Sequence, residues 1–158
     1  MKPIEKIRSK FFLSLLLVFV LALTISCSDQ QINSFGLEGR NLVISNEKGG
    51  AKANPPIFSA GEVVYIRFEF SEYDVDSNGL AWIQEDISMI RKDGKIVLNK
   101  PNIINERIPP PEGVEWWPVH NKVTLPEVIE PGEATIAINV RDKIGGGTIS
   151  IKTTIEVK

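Results

Sequence analysis

From about residue 38 to the end of the chain, apolar and polar side chains alternate with a period of two and show little helical spacing. In VVYIRFEF, Val64, Ile66, Phe68 and Phe70 fall on one face, and Val63, Tyr65, Arg67 and Glu69 on the other. In TIAINV, Ile136, Ile138 and Val140 share a face. The last segment sets Ile149, Ile151, Thr153, Ile155 and Val157 against Ser150, Lys152, Thr154 and Glu156. Shorter strands are expected at 41–45, 87–92, 95–99 and 122–126. Turn chemistry separates them. KDGK at 92–95 suits a tight hairpin, because Gly94 accepts a positive φ. EPGE at 130–133 and DKIGGGT at 142–148 flank the penultimate strand. Seven or eight short strands punctuated in this way predict an all-β fold, a two-sheet antiparallel sandwich.

The first residues break the pattern. Lys2, Lys6, Arg8 and Lys10 precede FFLSLLLVFVLALTI, an uncharged run of 15 residues. A basic start and a short apolar core describe an export signal, and the run is short of the roughly 20 residues of a membrane-spanning helix. At its end stands Cys27, the single cysteine of the 158-residue chain. LTISC, residues 23–27, resembles the lipobox of bacterial lipoproteins, with Thr24 in place of the commoner Leu. That resemblance implies cleavage before Cys27, a covalent lipid on its sulfur, and localisation in the cell envelope, at the outer membrane or cell surface. An ordinary cleaved signal with a leftover thiol is the alternative. Stable anchoring takes two or more acyl chains. The expected organisation is a signal peptide over 1–26, a lipidated cysteine and flexible tether over 27–37, and a sandwich over 38–158.

The resemblance also changes the charge balance. The chain has 18 basic and 20 acidic residues. Residues 1–26 hold 4 and 1 of these, which leaves 14 against 19 and a net charge of −5. Such a balance disfavours nucleic acid as the main partner. Over residues 40–158 the order of strands and turns resembles immunoglobulin-like modules of bacterial surface proteins, without their Cys–Trp–Cys core. It implies a fold and leaves function to specific sites.

One loop carries candidate metal chemistry. DVDSNGLAWIQE, residues 74–85, fits D-x-[DN]-x-[DN]-G-x5-E position by position. Oxygens of Asp74, Asp76 and Asn78, the Leu80 carbonyl and a bidentate Glu85 would form a calcium shell around the turn at Gly79. The segment before the loop is a strand pattern, so the helix–loop–helix family is not implied. The competing reading is a solvated hairpin loop, where Asp, Asn, Ser and Gly gather for their turn preferences.

Elsewhere, RIPPPEGVEWWPVHN at 107–121 joins a stiff proline run to Trp116 and Trp117. In an extended backbone the two indoles point opposite ways, one toward the core and one outward as a candidate contact; the favoured alternative is that both cover the open end of the sandwich. His120 is the only histidine and has no companion at metal-ligand spacing. GGGT at 145–148 lacks the Lys-Ser/Thr of a phosphate loop. The expectation is therefore a lipid-anchored, non-catalytic binding or assembly module. Its partners would be the membrane, through the anchor, and an envelope protein or polysaccharide. A calcium-stabilised version using the 74–85 loop is the alternative. An envelope hydrolase built on Glu72, Asp74, Asp86 or His120 ranks below both.

Overall fold

The computed structural model describes residues 30–53 and 56–158. Cys27, the apolar run before it and the cleavage point lie outside the described residues. Nine strands follow in chain order: β1 (Gln30–Phe35), β2 (Glu38–Ser45), β3 (Ile57–Phe58), β4 (Val63–Ser71), β5 (Ala81–Arg91), β6 (Ile96–Ile108), β7 (Trp117–Thr124), β8 (Gly132–Asp142) and β9 (Thr148–Val157). They form two sheets. The larger has the order β1-β9-β8-β5-β6, with the short β3 lying parallel beside the end of β9. The smaller is β2-β4-β7. All other pairings are antiparallel. The fold is the all-β two-sheet sandwich that the alternation predicts.

Each inner face is the apolar half of an alternating strand. Val64, Ile66, Phe68 and Phe70 of β4 are buried, as are Ile136, Ile138 and Val140 of β8 and Ile149, Ile151, Ile155 and Val157 of β9. They form one continuous core with Ile83, Ile87 and Met89 of β5 and Val119 and Val123 of β7. Burying an Ile or Phe side chain fully is worth about 1.5–3 kcal/mol, so this core carries most of the driving force for folding.

The tether expected over 27–37 is corrected over its described part. Residues 30–35 pair with β9 in register from Gln30–Thr153 to Phe35–Thr148. The segment is polar because an edge strand needs little apolar surface. Backbone pairing holds it, and Ile32 packs against the core. The sandwich thus begins by residue 30, ahead of the expected 38. At the corner from β1 to β2, Gly36 takes a φ of 75°. There a Cβ on Gly147 would sit 2.9 Å from the Leu37 backbone nitrogen, so the close approach requires glycine.

Register shifts shape the sheets. Asn41, at φ 56°, sits where β2 slips register against β4. Asn102, at φ 55°, marks the slip of β6 opposite Asp86, next to Pro101. The hairpin at 92–95 closes as expected, with Gly94 at φ 85° and its N–H donating to the Arg91 carbonyl.

Candidate functional site

The 74–85 ligand set is not assembled. Ala81 already belongs to β5, so the strand period governs residue 85. It turns Glu85 inward between the sheets, where its exposure is 1 %. There Glu85 Oε1 accepts a hydrogen bond of 2.5 Å from Asn121 Nδ2 on β7. Burial pushes the Glu85 carboxyl up to about 7; the Asn121 bond partly opposes this, and the neighbouring Asp86 charge adds to it. In the loop, Asp76 Oδ1 accepts from the backbone N–H groups of Asn78 and Leu80, at 2.8 and 3.1 Å. Those bonds hold its carboxyl below the usual range. The Leu80 carbonyl accepts from the Asp76 N–H. Asp76 Oδ1 and the Leu80 carbonyl are therefore engaged by the turn itself. Asp74 lies near Asp142, whose Oδ2 accepts from the Asp74 N–H at 2.8 Å. Among the described residues no group of three His, Cys, Asp or Glu side chains could hold a metal ion.

Of the groups named for hydrolysis, Asp86 and His120 lie on different sheets. Asp86 lies on the outer face of the larger sheet, bonded to Arg141 at 2.6 Å. His120 lies on the outer face of the smaller sheet, opposite Arg67.

Both tryptophans are partly buried, Trp116 in the bend before β7 and Trp117 as the first residue of that strand. Trp117 packs against the core and stacks on Phe70 at 5.4 Å between centroids, with Tyr73 edge-on to both rings. Trp116 turns outward and half-exposed, with the Arg40 guanidinium 3.8 Å from its ring centroid.

The outer face of β2-β4-β7 gathers what no linear motif announces. Register sets Val43, Arg67 and His120 in one row across the strands. It sets Ser45, Tyr65 and Lys122 in the next. The loop after β2 adds Lys48 over this face. Together Lys48, Tyr65, Arg67, His120 and Lys122 line an open groove of about 530 Å³. Arg67 Nη2 donates to the Gly50 carbonyl at 2.7 Å, which fixes both guanidinium and loop. Arg67 Nε is buried without a hydrogen-bond partner. Among the described residues no carboxylate pairs with Lys48, Arg67 or Lys122, whereas Arg40, Arg91, Lys92, Arg107 and Arg141 all have acidic partners. A second depression of about 170 Å³ adjoins along Arg67 and His120 and reaches Asn41 and Pro118. The one carboxylate there, Glu69, is held by Arg40 at 2.7 Å and Asn41 at 3.0 Å. The Arg40 bond leads the causes that hold its carboxyl below the ordinary carboxylate range. Alternation had placed Tyr65 and Arg67 on an outward face. Their meeting with Lys48, His120 and Lys122 depends on cross-strand register, which left no local signal.

A small apolar cavity of about 60 Å³ lies between the sheets near the β6 and β7 edges. Ile83, Glu85, Ile104, Trp117 and Val140 are among its walls.

No family model matches the sequence, and no curated protein matches it significantly. Solved structures do resemble it. A Niemann-Pick type C2 protein from the Japanese carpenter ant superposes with a TM-score of 0.54 at 10 % identity, over 80 % of this chain and 96 % of that one. The C-terminal domain of Wzt superposes with a TM-score of 0.56 at 12 % identity, over 82 % and 78 %. At these identities the likeness defines the class: a β-sandwich of immunoglobulin-like type.

Proposed function

We propose that this chain is a lipid-anchored envelope protein, tethered through a lipid on Cys27, whose sandwich acts as a non-catalytic binding module. Its binding face is the outer surface of β2-β4-β7. The observation that carries this reading is the groove in which Lys48, Arg67 and Lys122 converge with no acidic partner among the described residues, on a chain of net negative charge. Like charges brought together on neighbouring strands cost stability, and a partner of opposite charge recovers it. The lipobox-like LTISC supports the anchor. An envelope location suits a module whose partner is a fixed component of the same surface.

Two measurements test the reading. Cys27→Ser is expected to abolish fatty-acid labelling and release the protein from the membrane fraction; retention of both would reject the anchor. The Lys48→Glu, Lys122→Glu double variant is expected to stop the immobilised full chain retaining envelope material. Equal retention by the variant and the unaltered protein would reject the binding face.

A further inference from the structure

We infer that the groove takes an acidic polysaccharide, a chain of sugars bearing carboxylates. This rests on the reading of the β2-β4-β7 face as the binding face and specifies its ligand. Three features of that face point to this chemistry.

The first is charge. Lys48 and Lys122 flank Tyr65, and Arg67 lies two residues along the same strand, opposite His120. Arg67 Nε lacks a partner although its atom is buried, and nothing in the groove lining is acidic. Ammonium and guanidinium groups left unpaired in this way match anionic ligand groups.

The second is shape. The groove is open, and it runs into the second depression through the shared Arg67 and His120. From Tyr65 to Glu69 along β4 the path covers about 14 Å at the usual rise per residue. Trp116 lies past Pro118 at that end, its ring already covered by Arg40. A path of this length fits several repeating units better than one small anion.

The third is surface character. Tyr65 offers the groove a ring on which a sugar can lie, with a hydroxyl to bond it. The exposed large apolar side chains Phe35, Val75, Ile96, Ile103, Val114 and Val128 all lie elsewhere. The face thus lacks the apolar anchors that a protein partner or a bilayer would engage.

The test is titration of the full chain in detergent micelles with three probes of similar length: polygalacturonate, uncharged dextran and inorganic polyphosphate. Polygalacturonate is expected to bind with an affinity that falls as salt rises, and dextran not to bind. Lys48→Glu with Lys122→Glu should weaken polygalacturonate binding at least about tenfold, and Lys48→Arg with Lys122→Arg should retain it. Tyr65→Ala should weaken polygalacturonate binding several-fold while leaving any residual polyphosphate binding unchanged. Melting curves confirm that each variant is folded. Dextran binding as tight as polygalacturonate, or polyphosphate binding as tight and indifferent to Tyr65, would overturn the ligand class. The same holds if no probe binds or if charge reversal has no effect. Envelope retention that still depends on Lys48 and Lys122 would then leave the binding face standing with another ligand.

Discussion

Replacing Glu85 with Gln tests the placement of the inner faces, because it asks whether residue 85 is in the core or in a solvated loop. Glu85 is 1 % exposed, and its carboxyl is pushed up from 4.5 to about 7. An acid whose folded value is raised holds its proton more tightly in the native state than in the unfolded one. Folding is therefore unpenalised below about 4.5. The penalty grows as pH rises from 4.5 to about 7 and is constant above that. The interval between the two values corresponds to about 3 kcal/mol at pH 8. For a domain of this size that is a melting temperature roughly 10 °C lower than at pH 4.5 from this group alone. Gln cannot ionise and keeps an oxygen for the Asn121 N–H, so Glu85→Gln should flatten the profile between pH 4.5 and 7.5. Its absolute stability gain at pH 8 should be smaller than about 3 kcal/mol, because a buried amide N–H without a partner costs about 1–3 kcal/mol. The assay is urea unfolding at half-unit pH intervals, comparing the difference between the two proteins across the window. The low-shifted carboxylates Glu69, Asp76 and Asp86 lose their contributions only as pH falls toward their own folded values, below this window. Parallel profiles for the two proteins would refute a buried, proton-retaining Glu85.

Other outcomes follow from single contacts. Thr153 faces the core with its hydroxyl unpaired, so Thr153→Val should stabilise by about 1 kcal/mol in urea unfolding. Trp117→Ala should cost about 3 kcal/mol through loss of its stack on Phe70, whereas Trp116→Ala should cost less than about 1 kcal/mol; equal losses would contradict the in-and-out division. Gly147→Ala should cost about 1–3 kcal/mol in thermal unfolding, because its Cβ meets the Leu37 backbone, which cannot swing aside. Asp76→Ala should lower stability through the lost bonds to Asn78 and Leu80, equally with chelator and with millimolar calcium; a loss confined to the calcium sample would restore the ion-binding reading.

Alternation alone placed β4, β8 and β9 and their inward sides, since a period of two fixes which side chains share a face whatever the partner. Residues 63–70, 136–140 and 149–157 show this plainly. The same period decides the fate of the acidic loop: once Ala81 is in β5, Glu85 must face inward with Ile83 and Ile87, and a regular expression that counts spacing alone does not register that constraint. Only the tertiary structure decided which strands are neighbours. β1 reads as tether because an edge strand is held by backbone bonds that any polar sequence supplies. The cationic groove brings residue 48 over residues 65 and 67 and sets those beside 120 and 122, through register across three strands. Register is a property of pairs of strands, and the identity of the partner strand is not encoded in the local order of residues.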